Sequence, residues 1–277
     1  MSKPGRARKS LGQNFLLDPN IQRKIVAALD PQPMDTVIEI GPGLGALTSH
    51  LVGRVKRLIA IELDDRLATS LQQEYQGRTD FTLLHQDVMQ CDFKTLAPAG
   101  DYKVIGNIPY NITTPLLFRL LQPSARPRVL VLMLQKEVAQ RITTGPGSKE
   151  YGALSVGVQS VARAERLFNV SRSAFRPVPG VDSTVLRITP MQPPPLQAEE
   201  EADMRTLTRT LFGQRRKQMQ SVLRHAPEYQ LSAADVKDLE TGTHIDLNAR
   251  PEALAPEQFI ALSRSLRNAG RPLRSAA

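Results

Sequence analysis

The sequence predicts an α/β protein: a seven-stranded, mostly parallel sheet whose last strand is antiparallel, followed by a small C-terminal α-helical domain. Three observations carry this. Short runs rich in Val, Ile and Leu recur with helical patterns between them, a glycine-rich turn follows the first run, and a proline-rich acidic stretch ends the alternation. Strands buried on both faces read as continuous apolar runs, and strands that alternate with helices pair in parallel.

Ahead of the first strand, "DPNIQRKIVAAL" reads as a helix. Asp18 caps it, Pro19 suits the first helical position, and Ile21, Ile25 and Leu29 form a stripe. The strands follow as "TVIEI" at 36–40, "RLIAI" at 57–61, "FTLLH" at 81–85, "YKVIG" at 102–106 and "RVLVLML" at 128–134. Between them Leu44, Leu47 and Leu51 share one helical face, as do Leu67, Leu71 and Tyr75, and Val138 and Ile142 stand one turn apart. Two further strands are expected at 153–162, "ALSVGVQSVA", and 183–189, "STVLRIT". Only loop chemistry separates them, so the seventh strand returns antiparallel to the sixth.

The stretch "MQPPPLQAEEEAD" marks a boundary. Residues 1–192 are read as the α/β domain, 193–203 as a linker and 204–277 as a helical domain. In the last, "MRTLTRTLFGQRRKQMQSVLRH" is expected to be helical, Ser232 caps the next helix, and Phe259, Leu262 and Leu266 share a face of the last.

Composition narrows the function. Lys and Arg number 36 against 27 Asp and Glu. The excess is clustered at Lys3, Arg6, Arg8 and Lys9, at Arg215, Arg216 and Lys217, and at Arg264, Arg267, Arg271 and Arg274. A polyanionic partner is the leading reading, and the helical domain is its expected site. No apolar run reaches the ~20 residues of a membrane span, and the basic N-terminus leads into no apolar signal region. A cytoplasmic protein is expected. The single cysteine, Cys91, excludes an internal disulfide and a cysteine-rich zinc site, and the four histidines show no metal-ligand spacing.

The turn in "VIEIGPGLGAL" joins a strand to a helix. Gly41 and Gly43 permit a tight turn and close approach of a ligand to the backbone, and with Ala46 they satisfy a dinucleotide-type pattern. Glu62, at the tip of the second strand, suits a carboxylate that accepts from both hydroxyls of a ribose. Asp87, after the third strand, suits an acceptor for an adenine amine. These groups converge on one crevice at the carboxyl ends of adjacent strands.

The fourth strand ends there too, in "NIPY". An aromatic amine such as adenine N6 delocalises its lone pair into the ring and is a poor nucleophile. Two acceptors on its protons would localise that pair: the Asn107 side-chain oxygen and the Ile108 backbone carbonyl. Pro109 donates no hydrogen bond and stiffens the turn. Tyr110 offers a flat face to a base. This is preorganised electrostatic stabilisation.

In the order "GQNFL", "EIGPGLGALT", Glu62, Asp87 and "NIPYNI", the chain resembles the S-adenosylmethionine-dependent ribosomal RNA adenine N6,N6-dimethyltransferases, from Leu11 to about Leu266. "FGQRRKQMQSVL" and "LNARPEALAPEQFIALSRSL" resemble the bacterial small-subunit (16S) enzymes rather than the macrolide-resistance methylases of large-subunit RNA. The resemblance implies a Rossmann-like methyltransferase fold that uses S-adenosylmethionine, yields S-adenosylhomocysteine and needs no metal. It implies dimethylation of two neighbouring adenosines in the 3′-terminal hairpin of small-subunit rRNA, in the 30S subunit or its precursor, with no membrane involved and nothing demanding more than a monomer. Carried over by position, cofactor contacts fall on Asn14, Leu16, Gly41, Gly43, Glu62, Asp87, Val88 and Asn107. The reaction falls to Asn107, Ile108, Pro109 and Tyr110, with Phe175 as a second aromatic stacked on the flipped base. Phe175 also reads as a core plug before a proline loop. Three alternatives remain open: a large-subunit methylase, a non-catalytic RNA-binding assembly factor, and a nicotinamide-dependent oxidoreductase.

Overall fold

The computed structural model describes residues 7–8, 11–98 and 101–269. The basic residues Lys3, Arg6, Lys9, Arg271 and Arg274 lie outside them. The chain forms two compact units, residues 1–139 with 164–190, and residues 140–163 with 191–277.

The first unit opens with a two-residue strand, β1 (Phe15–Leu16), and helix α1 (Pro19–Leu29). The Asp18 carboxylate accepts from the N–H groups of Asn20 and Ile21, and Ile25 and Leu29 are buried, as the capping pattern predicts. Then come β2 (Thr36–Ile40), α2 (Thr48–Leu51), β3 (Arg57–Glu62), α3 (Asp65–Glu74), β4 (Phe81–His85), α4 (Phe93–Leu96), β5 (Tyr102–Asn107), α5 (Thr113–Leu120), β6 (Val129–Gln135) and α6 (Lys136–Thr143). The expected helix across Leu44, Leu47 and Leu51 is shorter in the structure: residues 43–47 are turns, and only one helical turn follows.

The segment 153–162 is not a strand. It forms helix α7 (Ala153–Gln159), and the strand β7 (Ala162–Val170) comes after it. A short continuous apolar run suits either state, and here burial on most sides of a helix explains it. Leu154, Ser155, Val156 and Val158 are all buried. Three side-chain bonds fix the helix: Ser155 Oγ donates to the Arg141 carbonyl, and Gln159 Nε2 donates to those of Ile142 and Thr144, both at 2.8 Å. β7 escaped notice because it is an edge strand with exposed Arg163, Glu165 and Arg166. Charges on an edge discourage pairing with another chain. A second short strand, β8 (Phe175–Arg176), pairs antiparallel with β1, and β9 (Ser183–Pro190) completes the main sheet.

The main sheet has seven strands in the order β4-β3-β2-β5-β6-β9-β7. β3–β4, β2–β3, β2–β5 and β5–β6 are parallel, and β9 runs antiparallel to β6. The last strand in sequence is thus antiparallel, inserted between β6 and β7. Register makes the strand tips flush: Ile40 pairs with both Ile61 and Gly106, and Glu62 pairs with His85. The connections reverse direction between β2 and β5, which is where an open α/β sheet forms its ligand crevice. Helix α1 packs over β5, β6 and β9, and α3 over β3 and β4.

In the second unit α7 packs with α8 (Ala198–Gly213), α9 (Met219–His225) follows α8, and α10 (Ala233–Thr243) and α11 (Pro256–Asn268) complete it. Phe212 stacks on Phe259 at 5.7 Å, and the buried Tyr151 hydroxyl donates to the Leu254 carbonyl. The expected single helix from 204 to 225 is two, divided at 214–218 after Gly213. Much of the expected linker is helical. Glu199, Glu200 and Glu201 form the first turn of α8, where the helix dipole favours negative charge. Glu200 pairs with Arg264 at 2.7 Å, and Asp203 with Arg267. Residues 140–163, read from sequence as part of the first domain, belong to this unit.

Candidate active site

At the carboxyl ends of β2, β3, β4 and β5 the first unit opens a cleft of about 260 Å³. Its walls are residues 11–16, the glycine turn from Glu39 to Leu47, the tips at Glu62 and at 86–88, and residues 107–112.

The glycine turn follows from backbone sterics. Gly41 and Gly43 have φ of +63° and +61°, a region that residues with a Cβ rarely adopt. Gly41 N–H donates to the Ile61 carbonyl, which ties β2 to β3 just below the cleft. A Cβ on Gly43 would stand 3.3 Å from the Phe15 ring, so the N-terminal segment rests directly on the turn.

Glu62 is 6% exposed. Its carboxylate accepts from Gly43 N–H at 3.0 Å and from Leu63 and Asp64 N–H, both at 2.9 Å. Burial raises its pKa, and these three backbone bonds oppose the rise. Oε1 holds two of the donors and Oε2 one. Only Oε2 therefore keeps an open position, and receiving two ribose hydroxyls requires the Gly43 bond to yield. Asp87 Oδ1 accepts from Met89 N–H at 2.8 Å and caps a short turn that contains the buried Val88.

The Asn107 amide has a fixed orientation. Its Nδ2 donates to the Asn14 carbonyl at 3.0 Å. Because a carbonyl can only accept, the nitrogen must face Asn14 and Oδ1 must face the other way. Ile108 N–H donates to the Met133 carbonyl. Among the described residues no donor meets the Ile108 carbonyl. The Pro109 carbonyl accepts from Ile112 N–H and Thr113 Oγ1, both at 3.2 Å, which braces the turn. Tyr110 is half-buried in the cleft wall. The structure therefore collects two acceptors and an aromatic at one strand tip.

Of the residues picked from sequence, Asn14, Leu16, Gly41, Gly43, Glu62, Asp87, Val88, Asn107, Ile108, Pro109 and Tyr110 line this cleft. Phe175 does not. It is 1% exposed, lies opposite Leu16 in the β1–β8 pair, and belongs to the core that includes Ile25 and Val185. The structure seats it in the core ahead of the proline loop and not in the cleft wall.

Sequence reading missed two participants. Glu39, 1% exposed, sits in the cleft floor and accepts from Thr48 Oγ1 at 2.8 Å. Burial pushes its pKa up to about 7, with Thr48 opposing and Glu62 adding to the rise. A lone acid in the apolar strand "TVIEI" was the available signal. The other is Gly106: a Cβ there would lie 2.6 Å from the Ile40 carbonyl, so only glycine permits the close approach of β2 and β5.

A mostly parallel sheet with a glycine turn at one strand tip and acceptors at three others beside it defines a Rossmann-like enzyme that binds a nucleoside cofactor. The chain belongs to the ribosomal RNA adenine dimethylase family, which it matches over residues 5–267. It is 43% identical over 258 residues to "Ribosomal RNA small subunit methyltransferase A" of Aromatoleum aromaticum, covering 93% of each chain. Among solved structures it resembles a dimethyladenosine transferase from Plasmodium falciparum, with TM-score 0.79 and 25% identity over 94% of this chain and 99% of that one. It also resembles the 23S rRNA methyltransferase ErmE, with TM-score 0.69 and 25% identity over 92% of this chain and 100% of that one. Among the described residues no helix is long and apolar enough to cross a membrane.

Proposed function

We propose that this chain uses S-adenosylmethionine to dimethylate the N6 amines of two adjacent adenosines in the 3′-terminal hairpin of small-subunit rRNA, within the 30S subunit or its precursor. The observation that carries this reading is the pair of acceptors at the tip of β5. Asn107 turns its oxygen away from Asn14, and the Ile108 carbonyl has no donor among the described residues.

The cleft's residues fit the cofactor. The glycine turn admits backbone approach, Oε2 of Glu62 has an open position toward a ribose, and Asp87 stands where an adenine amine would be read. When bound, the cofactor supplies a methyl group already activated by a sulfonium. The protein's own task is to prepare the nucleophile. Asn107 Oδ1 and the Ile108 carbonyl accept hydrogen bonds from the amine's N–H groups, two before the first transfer and one before the second. They localise the nitrogen lone pair and stabilise the positive charge that develops on nitrogen, which is discharged when the methylated nitrogen releases a proton to water. Tyr110 receives the face of the base, a contact worth roughly 1–3 kcal/mol, which offsets unstacking from the RNA. The exposed Arg216 and Lys217 of the helical unit would meet phosphates.

The 43% identity to a protein named for the small subunit favours the small-subunit target. Tritiated methyl transfer to small and large ribosomal subunits that lack the modification, followed by nucleoside analysis of each RNA, tests the reading. N6,N6-dimethyladenosine is expected, with Asn107→Ala lowering kcat about 10²–10³-fold while RNA binding persists. Label confined to large-subunit RNA, or an Asn107→Ala enzyme at full rate, overturns it.

A further inference from the structure

Asp64 lies two residues beyond Glu62, caps α3 and is fully buried. The cap needs one bond, from Arg66 N–H at 3.1 Å. The same carboxylate receives three more groups. Gln13 Nε2 donates to Oδ2 at 2.9 Å, Arg66 adds its guanidinium at 2.8 Å, and the Arg8 guanidinium lies 3.5 Å from Oδ1. Two of these partners come from the N-terminal segment, far upstream in the chain. That segment is cross-braced. Arg8 N–H donates to Gln13 Oε1 at 2.7 Å, and Arg8 also pairs with Asp65 at 2.8 Å. From Asp64 the segment passes over the glycine turn, where Phe15 touches Gly43, and reaches β5, where the Asn14 carbonyl holds Asn107. Residues 11–16 thus form one wall of the cleft from the ribose carboxylate to the amide.

We propose that Asp64 is a latch: it fastens the N-terminal segment across the cleft and so controls both cofactor exchange and the aim of the Asn107 carboxamide. The proposal rests on the methyltransferase reading above and adds a positioning residue to it. A nucleoside held against this wall loses that side of its contact when the segment lifts, and so leaves faster. Lifting also removes the Asn14 carbonyl, the one group among the described residues that distinguishes the two ends of the Asn107 amide. An open latch therefore loosens the ligand and disarms the strand tip together. An N-cap alone explains neither the Gln13 bond nor the Arg8 pair.

The test measures release of tritiated S-adenosylhomocysteine from the purified full chain by rapid filtration. Asp64→Asn keeps the cap but loses the charge that holds Arg8, and should speed release several-fold. Gln13→Glu sets two carboxylates against each other and should speed release about tenfold, the scale of a lost charge-assisted hydrogen bond. Combining the two substitutions lets the new carboxamide at position 64 donate to the new carboxylate at position 13. The double variant should therefore release more slowly than Gln13→Glu alone. In methyl transfer, Gln13→Glu should raise KM for S-adenosylmethionine about tenfold and also lower kcat about threefold, the smaller effect reporting the lost aim of Asn107 in the fraction of bound enzyme whose latch is open. Wild-type release rates in the single variants, or effects that simply multiply in the double, overturn the latch alone. A wild-type chain that binds no S-adenosylhomocysteine overturns the functional reading and the latch with it.

Discussion

At the amino-terminal ends of β2, β5 and β6 the sheet closes over its charges; at the opposite ends it leaves acceptors open. Asp35, Lys103 and Arg128 meet at the first edge. Lys103 Nζ reaches Asp35 at 2.7 Å and donates to the Asp30 and Leu29 carbonyls at 2.6 and 3.3 Å. Arg128 pairs with Asp35, and Gln32 N–H donates to it at 2.8 Å. Burial alone would raise the Asp35 pKa, but the Lys103 and Gln32 bonds outweigh it and hold the carboxyl below its usual range. At the second edge Glu62 keeps one open position, and among the described residues the Ile108 carbonyl has no donor. Folding satisfies nearly all buried polar groups from within the chain. The contrast separates polar groups used for stability from those kept for a ligand, within one sheet and a few strand lengths.

The largest expected effect breaks the closed edge. Lys103→Met removes a donor shared by one carboxylate and two carbonyls, and leaves Asp35 buried with a half-exposed arginine as its remaining cation. Breaking a buried pair from one side costs about 3–5 kcal/mol, and this variant should fall in that range. Urea unfolding measures it. Because Lys103 lies at the far end of β5 from Asn107, affinity for S-adenosylhomocysteine should stay within about twofold at temperatures where the variant is folded. If stability is unchanged, the two edges do not differ as described. If affinity collapses instead, the edges are coupled through β5 and the contrast is one of degree.

How far each edge was legible depends on distance along the chain. The open edge was readable because its groups sit in short motifs at the ends of predicted strands. Gly41, Glu62, Asp87 and Asn107 each follow an apolar run, and register makes those run ends flush. The closed edge was not readable. Asp35, Lys103 and Arg128 are ordinary surface residue types whose partnership exists only once three strands align. The N-terminal wall was half legible: the resemblance pointed to Asn14 and Leu16, but Gln13 and Arg8 act through Asp64, which no local pattern marks. Phe175 was ambiguous for the reverse reason. An aromatic before a proline loop looks the same in sequence whether it faces a base or the core, and its packing opposite Leu16 exists only once β1 and β8 pair. The segment 153–162 erred through periodicity, since a run buried on most sides carries no period to read.

Glu39 belongs to neither edge cleanly, and the smallest expected effect in this comparison comes from it. It lies in the floor of the open cleft yet is as buried as Asp35, with Thr48 Oγ1 as its hydrogen-bond partner. Its pKa is raised from 4.5 to about 7 in the folded chain. Between those values the folded state holds a proton that the unfolded chain has lost, so stability falls as pH rises from about 4.5 to about 7 and is level beyond. The span sets an upper bound of about 3 kcal/mol on this loss. Glu39→Gln keeps an acceptor for Thr48 and cannot ionise. Its stability relative to wild type should therefore rise across that window, measured by urea unfolding of both proteins at about pH 5 and about pH 8. Parallel profiles would mean that the Glu39 carboxylate ionises at no cost, so that partners at the open edge serve it as fully as Lys103 serves Asp35. Diverging profiles would place Glu39 with the unsatisfied groups, a buried acid whose ionisation the fold opposes and a cationic ligand in the cleft above would favour.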